Sequence, residues 1–184
     1  MAEKKKTLTE AQKKAAAFLT RAKPDFSGWR TAREVEVAKA EAEVIAKAKA
    51  GDVMPNGSIY VGISPDTQER MFVTAQDASL SMNFNDAAIY AKGLAVHGRK
   101  DWRLPTLDEL KMIFQNKEEG ALKGTFNATD SSEMGPHWYW SSTEWYSNPG
   151  TMWVVRFSAG DAGIYPGDRT PISCRPVRFA PALK

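Results

Sequence analysis

Two patterns of apolar positions divide the chain into two parts. Residues 1–51 are rich in Ala, Lys and Glu, and their apolar positions recur at helical spacing. From residue 52 onward, short alternations of apolar and polar residues, typical of strands, are separated by Gly, Pro, Asn and Asp. We therefore predict a helical N-terminal arm over residues 1–51 and an α+β domain over residues 52–184.

The arm carries two capping-box signatures. Thr7 with Glu10 predicts a first helix, and Thr31 with Glu34 predicts a second helix that ends at Gly51. The apolar stripe of the second helix is mostly alanine, so it buries little surface alone. We interpret the arm as an attachment or oligomerisation segment, with a trimer as the expected assembly. The alternatives are a solvated helical extension and a nucleic-acid-binding arm.

The second part of the chain shows strands, two helices and long loops. Helical patterns cover residues 84–94 and 107–116, the second of which follows a capping box formed by Thr106 and Glu109. Short strands are predicted within residues 57–63, 70–74, 137–143, 151–158, 163–166 and 173–179. The loops after residue 117 are long for a compact domain, and such loops often carry function.

The stretch "DWRLPTLDEL" (101–110) concentrates charged residues around Trp102 and Pro105. Asp108 and Glu109 could form a carboxylate pair for acid–base chemistry. However, Glu109 occupies the capping-box position after Thr106, and Asp108 suits the positive end of the helix dipole. We therefore predict a structural role for this stretch.

Charge and cysteine content narrow the class of protein. The formal net charge is +3, and the excess of Lys and Arg lies in the arm, so the globular part does not indicate nucleic-acid binding. Cys174 is the single cysteine, which permits no intrachain disulfide and favours a small buried residue over a nucleophile. His97 and His137 lack partners at zinc spacing, so neither a metal site nor a cofactor is expected.

The sequence contains neither a signal peptide pattern nor an apolar run long enough for a membrane helix. We expect a protein without membrane insertion, located in the cytoplasm or, if a phage encodes it, on the virion surface.

Four motifs carry a resemblance to a known family. "DWRLPTLDEL" (101–110), "YWSSTE" (139–144), "WVVRFSAG" (153–160) and "CRPVR" (174–178) are similar to the Lcl C-terminal-like domains of bacteria and phages. That family is akin to the C-type lectin fold and to the variable proteins diversified by retroelements. The resemblance covers about residues 56–179 and implies a C-type lectin-like domain with two helices, short twisted antiparallel strands and long loops.

The resemblance also implies which residues hold the fold and which display a ligand surface. The implied structural residues are Trp102, Arg103, Leu104, Pro105, Glu109, Trp140, Ser141, Trp153, Phe157, Arg175, Pro176 and Arg178. Calcium-dependent sugar binders of the wider fold use a Glu-Pro-Asn or Gln-Pro-Asp tripeptide followed by Trp-Asn-Asp. Neither pattern occurs here, so a sugar-coordinating calcium site is not expected.

The loops at 142–153 and 158–170 form the predicted ligand surface. Their aromatic side chains offer flat contact area at low entropic cost, and their Asn, Asp and Arg residues offer directional hydrogen bonds. The candidate ligand-binding residues are Trp145, Tyr146, Asn148, Asp161, Tyr165, Asp168 and Arg169. In the alternative interpretation, Trp145 and Tyr165 complete a small core beneath long loops.

These observations favour a non-enzymatic binding and display module on a phage or prophage particle. We expect it to recognise a host-surface glycan or protein through its C-terminal loops and to contact other virion subunits through residues 1–51. The alternative is a decoration or cementing subunit of the particle. A relative of the formylglycine-generating enzymes is a minor alternative, because that chemistry requires a pair of cysteines and only Cys174 is present.

Overall fold

The computed structural model describes residues 32–127, 135, 137–168 and 171–180. Within these ranges the chain combines helices with two small antiparallel sheets, which confirms the predicted α+β class. The first predicted helix of the arm, which begins near Thr7, lies outside the described residues.

The chain divides into two compact units, Met1–Lys39 and Ala40–Lys184. Of the first unit, the structure describes residues 32–39, which are helical. The functional division after residue 51, proposed from the sequence, stays a prediction.

Three helices lie within the described residues. They are α1 (Ala32–Lys47), α2 (Phe84–Gly93) and α3 (Leu107–Gln115), and a short 3-10 turn covers Gly120–Leu122. Asn83 caps α2, because its side-chain oxygen accepts a hydrogen bond from the backbone N–H of Asp86 at 2.9 Å. Among these helices, none combines the length and apolar character needed to cross a membrane.

Six strands form two three-stranded sheets in the described residues. The strands are β1 (Ile59–Ile63), β2 (Arg70–Val73), β3 (Trp138–Glu144), β4 (Thr151–Arg156), β5 (Ala162–Pro166) and β6 (Val177–Ala180). The first sheet has the order β1–β2–β6 and the second has the order β3–β4–β5, with antiparallel neighbours throughout.

The segment before β6 connects the two sheets. Ser173 forms a parallel bridge with Tyr139 of β3, and its backbone N–H donates to the carbonyl of Trp138 at 3.0 Å. Val177 forms an antiparallel bridge with Arg103, which places the "WRLP" segment beside β6. The chain after residue 172 therefore fixes both sheets and the entry to α3.

Strand periodicity explains how the interior is divided. In the first sheet, Val61, Met71 and Val177 face the main core, which they share with α3 and with Tyr139 and Val155 of the second sheet. In the second sheet, Trp140 and Val154 face a further core beneath α2. Each sheet therefore buries both faces at least in part, which explains why its strands contain few exposed polar positions.

The outer face of the first sheet carries a smaller cluster. Tyr60 and Phe72 pack there with Met54, and Ile45 and Ala48 cover the cluster. The rings of Tyr60 and Phe72 lie 5.5 Å apart. The last turn of α1 and the residues after it thus bury apolar surface against β1 and β2.

Gly51 lies at a close approach between two backbone segments. It has a φ of +88°, and its carbonyl accepts a hydrogen bond from the N–H of Ala121 at 2.9 Å. A Cβ atom at this position would lie 2.3 Å from the carbonyl oxygen of Glu119. Both the conformation and the contact therefore require glycine.

We expect Gly51→Ala to lower the free energy of unfolding by about 3 kcal/mol or more, because it adds a backbone clash to the left-handed conformation. Gly124→Ala is the matched control, since Gly124 has a φ of +72° and a Cβ atom added there would meet nothing within 4 Å. The control should cost only about 1 kcal/mol. Urea unfolding of both variants measures the difference, and equal losses would contradict the close approach.

Candidate ligand-binding site

The buried carboxylate of Glu109 anchors the structure beneath the candidate site. Glu109 is fully buried and accepts two hydrogen bonds of 2.8 Å from the guanidinium of Arg103. It also accepts a hydrogen bond from the hydroxyl of Ser64 at 2.7 Å and one from the backbone N–H of Thr106 at 2.9 Å. The side chain of Thr106 accepts from the N–H of Glu109, so the predicted capping box is present.

Two opposing influences act on the pKa of Glu109. Burial is the largest influence and raises the pKa, but the hydrogen bonds from Arg103, Thr106 and Ser64, with the charge of Arg103, together lower it below its ordinary value. Glu109 is therefore ionised at neutral pH and stabilises the start of α3. This geometry supports the structural interpretation of the stretch rather than acid–base chemistry.

The start of α3 also holds the end of β3. The carbonyl of Pro105 accepts a hydrogen bond from the N–H of Ser142 at 2.7 Å, and the N–H of Leu107 donates to the hydroxyl of Thr143 at 2.9 Å. The loop that follows β3 is thus attached directly to the helix whose first turn Glu109 stabilises.

Arg175 organises a second buried network. Its guanidinium is fully buried, forms an ion pair with Asp77 at 2.8 Å and donates to the hydroxyl of Thr125 at 2.8 Å. The hydroxyl of Tyr139 donates to the other oxygen of Asp77, and the ring of Phe126 lies 4.3 Å from the guanidinium carbon. This network connects the loop after β2 to the strand segment before β6.

The remaining motif residues occupy interior or edge positions. Trp140 is fully buried and donates from its indole nitrogen to the carbonyl of Met82 at 2.8 Å. Trp102 is also buried, whereas Trp153 is only partly buried and its carbonyl accepts from the hydroxyl of Ser141 at 2.7 Å. Arg178 is buried on the outer face of the first sheet.

A cleft opens where β3 leads into β4 and where β5 ends; we call it the hairpin-end cleft. Its volume is about 660 Å³. Its lining residues are Phe84, Asn85, Ser142, Glu144, Asn148, Pro149, Gly150, Thr151, Met152, Pro166, Gly167 and Asp168. The antiparallel pairing of β4 with β5, in which Thr151 is opposite Pro166, brings the two predicted loop segments together here.

Four of the predicted ligand-binding residues lie in or next to the hairpin-end cleft. Asn148 and Asp168 line it directly. Tyr146 is 92% exposed on the loop between β3 and β4, and Trp145 precedes it with its ring 6.3 Å away in an edge-on arrangement. These residues form one exposed surface at the end of the second sheet.

Asp161 and Tyr165 lie elsewhere. Asp161 precedes β5, at the opposite end of the strand from Asp168, which corresponds to a separation of about 20 Å along an extended chain. It forms an ion pair with Arg156 and accepts a hydrogen bond at its carbonyl from the same residue. Tyr165 packs edge-on against Trp138, with a centroid distance of 5.4 Å, and belongs to the margin of the core beneath α2.

Arg169, the seventh predicted residue, lies outside the described residues. The sequence reasoning missed Glu144, Thr151, Phe84 and Asn85, which line the cleft. The first two fall inside a predicted loop segment, but their identity alone does not distinguish them from its other polar residues. The other two begin α2 and are distant in sequence, so no local signal could have indicated them.

The single cysteine and the two histidines lie away from the hairpin-end cleft lining. Cys174 is fully buried, and burial is the main cause that raises the pKa of its thiol to about 12. Within the part of the chain that the structure describes, no group of three His, Cys, Asp or Glu residues is placed to hold a metal ion. His97 and His137 occupy separate loops, and the second is fully buried.

The family assignment agrees with the motifs described above. The chain matches the model of the Lcl C-terminal domain over residues 64–178, which is more than half of its length. The protein therefore belongs to the Lcl C-terminal domain family, and the resemblance carried by the four motifs is confirmed. No curated protein matches the chain.

We expect Glu109→Gln to lower the free energy of unfolding by about 2 kcal/mol at neutral pH, because the hydrogen bonds that its charged carboxylate accepts from Arg103, Ser64 and Thr106 become weaker or are lost. The folded-state pKa of Glu109 lies below the unfolded value of about 4.3, so the carboxylate stabilises the fold above that pH and this contribution is lost as pH falls through the folded-state pKa. Urea unfolding at several pH values should show the variant and wild type converging below about pH 4.

Asp108→Asn is the matched control for this prediction. Asp108 lies in the same helical turn, but its side chain is 62% exposed and its ion pair with Lys111 is on the surface. Its replacement should change the free energy of unfolding by less than about 1 kcal/mol. A comparable loss in both variants would contradict the role assigned to Glu109.

Proposed function

We propose that this chain is a non-enzymatic binding module that takes its ligand at the hairpin-end cleft. The observation that carries the proposal is the convergence of amide, hydroxyl and carboxylate groups on one open cleft of about 660 Å³. A cleft of this size suits a small organic ligand or the terminal part of a glycan.

The composition of the cleft favours a glycan. Sugars present many hydroxyl groups, which both donate and accept hydrogen bonds, and the side chains of Glu144, Asn148 and Asp168 supply both kinds of partner. The exposed ring of Tyr146 next to Trp145 offers flat aromatic surface for the apolar face of a sugar ring. Together these features combine apolar contact with directional hydrogen bonding.

The loop that carries these groups is held by its own hydrogen bonds. The N–H of Gly150 donates to the carboxylate of Glu144 at 2.6 Å, and the N–H of Trp145 donates to the carbonyl of Thr151 at 2.7 Å. The N–H of Gly167 donates to the carbonyl of Gly150 at 2.8 Å, which ties the two sides of the cleft together. A preorganised loop loses less conformational freedom on binding, which favours recognition.

The placement of the reactive groups supports a non-enzymatic role. Cys174 is buried with a raised pKa, so its thiolate is not accessible as a nucleophile. Glu109 and Asp77 are both engaged by arginines, and neither lines the hairpin-end cleft.

The display role extends this proposal beyond the cleft itself. We infer a C-type lectin-like domain on the surface of a phage or prophage particle, whose ligand is a host-surface glycan or protein. Its support is the resemblance of the motifs to phage surface domains. Residues 1–51 would attach the domain to other virion subunits, and a decoration subunit is the alternative assignment.

The proposal predicts that full-length protein binds a panel of bacterial cells and surface glycans through the cleft. A Tyr146→Ala, Asp168→Asn double variant should bind about 100-fold more weakly, because it removes an aromatic contact and a charged acceptor from the site. Asp161→Asn is the matched control, since it makes the same carboxylate change at the other end of β5. It should bind within about twofold of wild type.

Binding is measured by cell pull-down and glycan array, and circular dichroism establishes that the variants are folded. Equal binding by wild type and the double variant would contradict recognition through the cleft. An absence of binding to every cell and glycan would contradict host recognition and favour the decoration subunit.

A further inference from the structure

A second cavity lies on the outer face of the first sheet; we call it the outer cavity. Its volume is about 230 Å³, and it shares no lining residue with the hairpin-end cleft. Its lining residues include Ile45 and Met54, which are apolar, and Arg99 and Arg178, which are positively charged. Such a lining combines apolar contact area with a few charged groups, as ligand sites commonly do.

Strand geometry explains why an arginine is buried at this cavity. Arg178 pairs with Phe72 in the antiparallel register of β6 with β2, so both side chains point to the outer face of the sheet. The residue is only 3% exposed. Its guanidinium carbon lies 4.7 Å from the ring centroid of Phe72 and 6.0 Å from that of Trp102. The two aromatic rings hold the guanidinium in place without using its hydrogen-bond donors.

The described residues provide few hydrogen-bond partners for the donors of Arg178. Its Nε is buried without a hydrogen-bond partner, and its Nη1 makes one long bond of 3.3 Å to the carbonyl of Phe179. Among the described residues, no carboxylate forms an ion pair with it. Buried charges are normally paired, so a direct ion pair with Arg178 is the contact that the described residues do not supply.

The charges of the neighbouring residues do not offset the burial of the Arg178 guanidinium. Burial is the main cause that lowers the pKa of Arg178, the nearby charge of Arg99 lowers it further, and Asp101 opposes both. An arginine does not deprotonate in a protein, so its buried charge carries a desolvation cost. A bound anion would offset that cost.

The two residues before Arg99 adopt an unusual backbone conformation. His97 and Gly98 have φ values of 55° and 67°, and the N–H of Arg99 donates to the carbonyl of Val96 at 2.9 Å. This is a tight turn in which a non-glycine residue adopts the left-handed region. Strained conformations of this kind tend to occur where a site must be positioned.

Hydrogen bonds between two loops hold this turn against the segment that contains Asn56 and Gly57. The side-chain amide of Asn56 donates to the carbonyl of His97 at 3.3 Å, and the Nδ1 of His97 lies 2.8 Å from the carbonyl of Asn56. A Cβ atom on Gly57 would lie 3.0 Å from the same ring, so glycine permits the approach. These contacts hold together two of the segments that line the cavity.

We propose that the outer cavity binds a small monocarboxylate with an apolar body. The planar, two-pronged edge of a guanidinium matches a carboxylate, and the apolar side chains of Ile45 and Met54 accommodate a short hydrocarbon chain. Glu41 also lines the cavity, so its negative charge accompanies the two positive charges of the arginines. The net charge of the lining therefore favours a singly charged anion over a multiply charged one.

The test is a titration of the full-length protein with butyrate, inorganic phosphate and n-butylamine, followed by NMR chemical shifts. Butyrate should bind saturably with a dissociation constant in about the millimolar range, as expected for so few atoms. Phosphate should bind at least about fivefold more weakly because it lacks an apolar body, and butylamine should not bind. Equal binding of phosphate, or saturable binding of butylamine, would overturn the proposal.

Substitutions of exposed residues keep the test independent of folding. Arg99→Gln should weaken butyrate binding about tenfold through loss of a charge-assisted hydrogen bond, and Glu41→Gln should strengthen it. Arg33→Gln, which removes a positive charge from an exposed position outside the cavity, is the matched control and should leave binding unchanged.

Two results would overturn the assignment of the site. One is an absence of saturable butyrate binding to the wild type, and the other is an equal affinity of wild type and Arg99→Gln. The double variant of the hairpin-end cleft should bind butyrate as the wild type does, so this proposal and the proposed function can fail separately.

Discussion

Glu109 carries a charged carboxylate that is fully buried, and three separate segments of the domain supply hydrogen bonds to it. Ser64 reaches it from the end of the first hairpin, Arg103 from the segment beside β6, and Thr106 from the cap of α3. A buried carboxylate is stable only when it is fully hydrogen-bonded, so these three segments must occupy fixed relative positions. The end of β3 is attached to the same helix start, and the cleft loops follow directly from it.

Local sequence signals were sufficient where the determining contacts are local. The capping box of Thr106 and Glu109 spans three residues and was predicted correctly, as were the positions of α2 and of the first five strands. The last strand begins at Val177, four residues after the predicted start. The ion pair of Asp77 with Arg175 joins residues 98 positions apart, and no periodicity or spacing indicates such a partner. The family resemblance marked Arg175 as structural, but only the folded chain shows which carboxylate neutralises it.

The candidate site illustrates a similar limit. The sequence indicated two loop-rich segments, and the structure pairs parts of them as neighbouring strands. The register of that pairing determines which residues lie at the same end of the second sheet. Register placed Asp168 beside Asn148 and placed Asp161 at the far end, in an ion pair with Arg156. The position of Arg178 also depends on strand geometry, because the alternation of side chains along β6 directs it to the outer face of the first sheet. The sequence motif alone indicated only a structural role for this residue.

The contacts made by the C-terminal end of α1 determine where the chain can be truncated. The change in composition along the sequence suggests a domain boundary after Gly51. However, Ile45 and Ala48 cover the aromatic cluster of Tyr60 and Phe72. The side chain of Arg70 also donates a hydrogen bond to the carbonyl of Ala46 at 3.0 Å. A fragment that starts at residue 52 would expose the rings of Tyr60 and Phe72 to water, and we expect it to aggregate more readily. The residues between 40 and 51 therefore belong to the same compact unit as the two sheets.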